Sequence, residues 1–238
     1  MGRIFETRKH KMFARWARNA RAFTKIGKEI AIAVRIGGAD PNGNPRLRLA
    51  IQTARSLNMP KDRIEAAIER VTSKDTATLE EVAYEGYGPH GIAVFVETAT
   101  DNTTRTVANV RSTFDRYGGS LAAAGALSYL FQHRGVFTVA SLPGDADEVQ
   151  LELIDFGLED LFETDEGIVL YTSFSGFGTL QRALEERKIE VKSAGLIRQP
   201  NSTIALKPEQ EAEVTKLIDA LEEDEDVQHV YHSMQSSE

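Results

Sequence analysis

The chain has 238 residues, of which 41% are hydrophobic, and its formal net charge is −8. This length exceeds the usual size of a single domain, roughly 100 to 150 residues, and the composition allows packed cores, so we expect more than one folded domain. The absence of cysteine excludes disulfides, thiol catalysis and cysteine-bound zinc. No apolar run approaches the roughly 20 residues that cross a bilayer, so we expect no membrane partner.

The charge is divided unevenly along the chain. Residues 1–72 contain sixteen Arg and Lys but six Asp and Glu, a net charge of +10, so residues 73–238 must carry −18 to give the total of −8. A folded segment with such an excess favours a polyanionic partner, and this asymmetry is typical of nucleic-acid contact. We therefore predict that the N-terminal part of the chain binds nucleic acid.

The first predicted helix carries an apolar stripe and a basic stripe. The apolar residues recur at helical spacing: Phe23, Ile26, Ile30 and Val34. The basic residues lie around the other side: Arg18, Arg21, Lys25 and Lys28. A merely solvated helix face usually mixes charge signs, whereas no acidic residue occurs between positions 7 and 28. The pattern favours phosphate contact, with a solvated surface as the alternative.

Two more helices are predicted after the first. Gly37-Gly38 indicates its end, and Asn44-Pro45 indicates the start of the second helix, with a capping side chain followed by proline. Asn58-Met59-Pro60 separates the second helix from a third that contains Ile64 and Val71. Three helices also permit a helix-turn-helix, although the connection after the first is long for one. The predicted nucleic-acid-binding residues of this helical domain are Arg8, Lys9, Lys11, Arg15, Arg18, Arg21, Lys25, Lys28, Arg46, Arg48 and Arg55.

The remaining sequence predicts an α+β architecture. Residues 72–81 have the polar composition of a linker. From Gly135 to Gln199 the order strand-helix-strand-strand-helix-strand indicates a ferredoxin-like unit, and the elements on both sides of it have the pieces of a second α+β module. Among the predicted strands are Leu127–Phe131 and Val136–Ala140. We therefore expect a helical domain (1–78), a middle α+β domain (79–133 plus 204–238) and an inserted ferredoxin-like domain (134–203).

Two patterns resemble catalytic or metal motifs without their context. The run Gly86–Gly91 fits G-x-G-x-x-G, but a strand follows it where a nucleotide fingerprint needs a helix, so we predict a tight loop. His229 and His232 lie three apart on a predicted strand and face opposite sides, and the acidic run Asp224–Asp226 beside them is typical of a solvated turn. His90 has no obvious carboxylate companion in the sequence. We expect no catalysis, metal, cofactor or small-molecule substrate.

Five sequence segments together resemble the YebC family, which includes the mitochondrial translational activator of cytochrome oxidase subunit I. They are Ile36–Ile51, Asn58–Glu65, Tyr84–Pro89, Thr100–Asn102 and Arg105–Val107. The resemblance covers nearly the whole chain and implies a helical domain followed by two α+β modules. Family members are described both as DNA-binding transcriptional regulators and as ribosome-associated factors that help translation through consecutive prolines.

The resemblance and the charge together favour a ribosome-associated regulator of gene expression. Ribosomal RNA can be bound through phosphate contacts and shape, whereas sequence-specific DNA recognition needs side chains placed against base edges. The helical domain shows no evident group of side chains for reading bases. Transcriptional DNA binding is the alternative, and a protein-docking adaptor a more remote one. An Arg-rich start also suggests a mitochondrial transit peptide, but such peptides are rich in serine and the first serine is Ser56. We therefore expect a cytoplasmic protein, with a mitochondrial location as the alternative. We also expect the protein to be a monomer.

Overall fold

A computed structural model of the chain describes residues 21–72, 78–144, 146–164 and 167–235. These residues fall into two compact units. The first comprises the described residues up to Val82, Glu97–Asn109 and Asp219–His229. The second comprises Ala83–Val96, Val110–Ile218 and the described residues from Val230 onward. Within the described part of the chain, no helix is long and apolar enough to cross a membrane.

Among the described residues, three helices come before the first strand, and strands and helices are mixed after it. The helices are α1 (21–37 among the described residues), α2 (Pro45–Ser56), α3 (Lys61–Thr72), α4 (Thr103–Arg116), α5 (Ala146–Ile154), α6 (Phe177–Glu186) and α7 (Pro208–Glu222). The strands are β1 (Glu80–Tyr87), β2 (Ala93–Thr100), β3 (Ser120–Leu121), β4 (Phe131–Val139), β5 (Leu158–Thr164), β6 (Gly167–Ser173), β7 (Val191–Pro200) and β8 (Val227–His232). Short 3₁₀ turns occupy Pro89–Gly91 and Ser128–Leu130.

The helices α1, α2 and α3 pack around a shared apolar core. Its buried members are Ile26, Ile30, Ala33, Val34, Leu47, Ala50, Ala54, Met59 and Ile64, with Phe23 partly buried against them. Ile26, Ile30 and Val34 lie on the stripe that the helical spacing predicted for α1, and burial of each such side chain contributes about 1.5–3 kcal/mol. The apolar stripe of the first helix is therefore confirmed.

Asn44 fixes the connection between α1 and α2. Its side-chain oxygen accepts from the Leu47 backbone N–H at 3.0 Å, which caps α2, and its amide nitrogen donates to the carbonyls of Ala33 and Gly38. Gly38 adopts φ +85°, a left-handed conformation that glycine tolerates best, and its N–H bonds to the Val34 carbonyl at the end of α1. Both helix boundaries predicted here are confirmed.

In the described part of the chain, two four-stranded sheets follow, with strand orders β3-β1-β2-β8 and β5-β6-β4-β7. In the second sheet every neighbouring pair is antiparallel, and its chain order is β4-α5-β5-β6-α6-β7. That order and arrangement are those of a ferredoxin-like unit, which in the chain lies between β3 and α7. The predicted α+β class, with a helical start and an inserted ferredoxin-like module, is confirmed, whereas the domain boundaries stay predictions.

Three local expectations were wrong. The strand predicted at Leu127–Phe131 is mostly a 3₁₀ turn, and β4 runs unbroken through Gly135, where the sequence suggested a gap between two strands. Gly135 lies inside the strand, where a Cβ would come 2.6 Å from the Phe177 ring. A glycine at this position therefore allows α6 to pack closely against the sheet. In addition, β1 begins at Glu80, inside the segment predicted as a linker.

Candidate nucleic-acid interface

The eleven predicted nucleic-acid-binding residues fall into three groups. One group lies outside the described residues: Arg8, Lys9, Lys11, Arg15 and Arg18. A second group lies on α1: Arg21, Lys25 and Lys28. The third lies on α2: Arg46, Arg48 and Arg55. The structure therefore describes the positions of six of these cations, and their role toward nucleic acid stays a prediction.

The three cations of α1 predicted to bind nucleic acid all contact one short stretch of the chain, Glu222–Asp226, which we call the acidic segment. Arg21 donates to the Glu223 carboxylate at 3.4 Å, and Lys25 donates to the Glu222 carbonyl at 2.9 Å. Lys28 donates to the Asp226 carboxylate at 2.7 Å and to the Glu225 carbonyl at 2.8 Å. The basic stripe of α1 thus lies against an intramolecular polyanion.

Asp226 is the centre of this contact and is buried. Its Oδ1 accepts from Lys28, and its Oδ2 accepts from Arg105 at 2.7 Å and from the Thr106 hydroxyl at 2.8 Å. Burial by itself raises the pKa of the Asp226 carboxyl, but the hydrogen bonds from Lys28, Arg105 and Thr106 outweigh it and lower that pKa from 3.8 to about 2. Asp226 is therefore ionised and fully engaged. The expectation of a solvated turn at Asp224–Asp226 was wrong for this residue.

The start of α4 supplies the groups that hold Asp226. Asn102 caps the helix, since its side-chain oxygen accepts from the Arg105 backbone N–H at 3.0 Å. The Thr106 hydroxyl lies 2.8 Å from that of Thr100, and Arg105 also bonds to Asp101 at 2.8 Å. The segments Thr100–Asn102 and Arg105–Val107, which carried part of the family resemblance, therefore build the Asp226 cluster. Sequence reasoning from charge alone did not select them.

Lys25 lies in a less polar environment than a surface lysine. Burial lowers the pKa of its ammonium, and the nearby Glu222 and Asp224 only partly oppose this effect. Its single hydrogen bond to the acidic segment goes to a backbone carbonyl at the end of α7. Such terminal carbonyls have no partner within their own helix, so Lys25 satisfies one of them.

The cations of α2 differ from one another in their surroundings. Arg46 forms a two-sided salt bridge, with Glu29 at 2.8 Å and with Glu81 on β1. Burial lowers the pKa of Arg46, yet the hydrogen bonds to Glu81 and Glu29 dominate and raise it above its ordinary value. Arg48 is half-buried, whereas Arg55 is exposed in the last turn of α2. Arg55 is thus the most accessible of the three for an external phosphate.

A polar cleft of about 540 Å³ lies where α1, α4 and the acidic segment meet. Its lining includes both signs of charge, with Lys28 and Arg105 facing Asp101 and Asp226. Because the lining also contains Asp224 and Glu225, its acids outnumber its cations four to two, so the cleft does not attract an anion such as phosphate. It is best understood as the solvent-exposed edge of the Asp226 cluster.

Two other predicted features lie in the second unit. The run Gly86–Gly91 forms the predicted tight loop, with a 3₁₀ turn between β1 and β2 and a hydrogen bond from Gly88 N–H to the Ile92 carbonyl. His90 does have a carboxylate neighbour, because its Nε2 lies 2.8 Å from the Glu213 carboxylate on α7. That pair joins residues 123 positions apart and could not be found from local sequence.

Two family models match nearly the whole chain. Residues 3–74 match the N-terminal domain of the TACO1/YebC protein, and residues 79–234 match the TACO1/YebC second and third domain. The chain belongs to the TACO1/YebC family. The gap between the two matched regions, residues 75–78, lies between α3, which ends at Thr72, and β1, which begins at Glu80.

Curated relatives and a solved structure agree with this assignment. A probable transcriptional regulatory protein of Porphyromonas gingivalis is 52% identical over 100% of this chain and 99% of its own. One of the same description from Parabacteroides distasonis is 50% identical over 100% of this chain and 98% of its own. The crystal structure of a conserved hypothetical protein from Aquifex aeolicus is 37% identical, with a TM-score of 0.79, covering 92% of this chain and 91% of that one.

Proposed function

We propose that this TACO1/YebC family member is a nucleic-acid-binding regulator of gene expression that acts on the ribosome and relieves stalling, for example at consecutive prolines. The observation that carries the proposal is the charge division: residues 1–72 carry +10 and residues 73–238 carry −18. In this proposal the basic residues 1–72 bind phosphates, while the negative charge of residues 73–238 disfavours the wrapping of a long duplex around the protein. We expect neither catalysis nor a cofactor in this role.

The contacts of the described cations refine which residues would meet nucleic acid. Arg55 is exposed on α2, whereas Lys28 and Arg46 are held in salt bridges within the first unit. We propose that the basic residues before position 20, together with the exposed Arg55, make the principal phosphate contacts. Arg21 and Lys25 join them once their contacts with the acidic segment are released.

Transcriptional DNA binding is the second candidate. It is favoured by one observation, that relatives about 50% identical are described as probable transcriptional regulatory proteins. A sequence-specific DNA binder must place side chains against base edges, and its specific sites are bound at least about a thousandfold more tightly than random DNA. The two candidates therefore differ in a measurable specificity ratio.

A purified translation system without any promoter tests the ribosomal proposal. We expect the wild-type protein to relieve pausing on a message that encodes consecutive prolines, because its binding energy positions RNA and substrates and reads no DNA sequence. A charge-reversed variant should lose this effect: Arg8→Glu, Lys9→Glu, Lys11→Glu and Arg15→Glu. Its matched control reverses four exposed cations of the second unit and should keep the effect: Arg116→Glu, Arg182→Glu, Lys207→Glu and Lys216→Glu.

Salt dependence and sedimentation complete the test. If six to eight phosphates are neutralised, the logarithm of RNA affinity should fall against the logarithm of salt concentration with a slope of about −4 to −7. In lysate, the protein should sediment with ribosomal particles through a sucrose gradient. Unchanged pausing, combined with protection of a discrete promoter fragment at physiological salt, would replace the ribosomal proposal with the transcriptional one.

A further inference from the structure

We propose that the acidic segment Glu222–Asp226 is an autoinhibitory contact, which occupies the basic side of α1 and must be displaced before nucleic acid can reach Arg21 and Lys25. This inference rests on the proposed nucleic-acid-binding function and adds its regulation. The segment belongs to the same chain and the same compact unit as α1. Its occupancy of the helix therefore requires no second molecule.

The positions of the contacts support competition with a phosphate backbone. Along α1, Arg21, Lys25 and Lys28 follow one another at helical spacing, and each donates a hydrogen bond to an oxygen of the acidic segment. Carboxylate and phosphate oxygens satisfy Arg and Lys in the same way, through charge-assisted hydrogen bonds. Nucleic acid and the acidic segment therefore compete for the same donors.

The end of α7 strengthens this competition. The helix ends at Glu222, and its last turn contains no basic residue of its own. Its terminal carbonyls, with the partial negative charge of the helix end, therefore attract a cation from elsewhere, and Lys25 supplies it by donating to the Glu222 carbonyl. Lys25 is thus held by the backbone of the segment as well as by nearby carboxylates.

The strength of the contact is graded along α1. At the outer end, the side chains of Arg21 and Glu223 are 47% and 69% exposed and their atoms lie 3.4 Å apart. At the inner end, those of Lys28 and Asp226 are 17% and 8% exposed and lie 2.7 Å apart. Exposed pairs contribute little and are screened by salt, whereas breaking a buried pair is costly. The outer contacts can therefore exchange for phosphate while Lys28–Asp226 keeps the segment attached.

The first experiment removes the outer competitors and leaves the inner pair intact. The variant carries Glu222→Gln, Glu223→Gln and Glu225→Gln in the full chain, and keeps Asp224 and Asp226. We expect its affinity for a short single-stranded RNA at low salt to rise at least about fivefold over wild type, as three screened surface charges allow. The effect stays modest because the carbonyl contacts to Lys25 and Lys28 remain.

A matched control separates local competition from the loss of negative charge in general. The control neutralises three exposed acids distant in sequence from the segment: Glu163→Gln, Glu186→Gln and Glu209→Gln. Both variants change the net charge equally, so we expect the control to change RNA affinity less than twofold. Reactivity of Lys25 toward an acetylating reagent, measured against the exposed Lys61, should rise only in the first variant.

The second experiment fixes the contact covalently. Because the chain contains no cysteine, Arg21→Cys and Glu223→Cys can be joined selectively by a short bis-maleimide. The same double variant capped with N-ethylmaleimide has the same substitutions without the link. We expect the linked form to bind RNA at least about tenfold more weakly than the capped form, since its segment cannot be displaced.

The outcomes distinguish the two proposals. Autoinhibition would be overturned if the wild type bound RNA but the two neutralised variants bound it with equal affinity. It would also be overturned if the linked and capped forms bound RNA equally well. Either result would leave the proposed function in place. Failure of every form to bind RNA or DNA would overturn both. Binding by the first neutralised variant that greatly exceeds wild-type binding would support both.

Discussion

Among the described residues, each unit has a charged cluster around a largely buried central group, which is a carboxylate in the first unit and a guanidinium in the second. In the first unit a buried carboxylate, Asp226, is surrounded by Lys28 and Arg105. In the second unit a largely buried guanidinium, that of Arg134, is surrounded by Glu159 and Asp160. The side chains of Asp226 and Arg134 are 8% and 11% exposed. Similar burial at the centre allows the surroundings to be compared.

The surroundings differ in how completely they satisfy the central group. Asp226 accepts from Lys28, Arg105 and Thr106, and its partner Lys28 is itself largely buried. Arg134 lies 4.9 Å from the Tyr171 ring, but its buried Nε has no hydrogen-bond partner among the described residues. Both of its acidic partners are nearly half exposed. Equal burial of a charge therefore does not mean equal dependence of the fold on it.

The largest expected effect is that of Asp226→Ala. Removing the central carboxylate leaves Lys28 largely buried without its anion, so we expect the free energy of unfolding to fall by about 3–4 kcal/mol. Urea denaturation followed by circular dichroism measures the change, and hydrogen exchange in α1 and α4 locates it. Glu223→Ala, at an exposed position of the same segment, should cost less than about 0.5 kcal/mol. Equal losses for the two variants would contradict a dominant Asp226 cluster.

The pH dependence of the same cluster is the next largest effect. The folded pKa of Asp226 is about 2, below its ordinary value of 3.8, so its ionised form stabilises the fold fully above pH 4 and loses this effect as pH falls through about 2. The difference corresponds to about 2 kcal/mol. The stability gap between wild type and Asp226→Asn should therefore narrow between pH 5 and pH 2. A constant gap over that range would show that the charge of Asp226 contributes nothing.

The smallest expected effect is that of Arg134→Met. Methionine replaces the buried stem and its contact with Tyr171, while Glu159 and Asp160 can be rehydrated because they are half exposed. We therefore expect a loss of about 1–2 kcal/mol, below that of Asp226→Ala. Urea denaturation monitored by hydrogen exchange in β4 and β6 gives the value. A loss as large as that of Asp226→Ala would remove the contrast between the two clusters.

Much of the local structure follows from the sequence. The spacing of Ile26, Ile30 and Val34 predicted the buried side of α1, and Asn44-Pro45 predicted the start of α2. The strand β8 has the predicted limits, Val227–His232. These features depend on residues within a few positions of one another, where helical and strand periodicity act directly. Gly135 misled the prediction because its neighbour Phe177 lies 42 positions away.

The sequence by itself therefore determined the α+β class, the order of elements within the ferredoxin-like unit and the uneven division of charge, since these are properties of local patterns and composition. Only the tertiary structure decided which charges remain available. The basic side of α1 meets the acidic segment almost 200 residues later in the chain, as the Lys28–Asp226 hydrogen bond shows. Ion pairs act over a few ångströms through space, and spacing along the chain gives no measure of that distance.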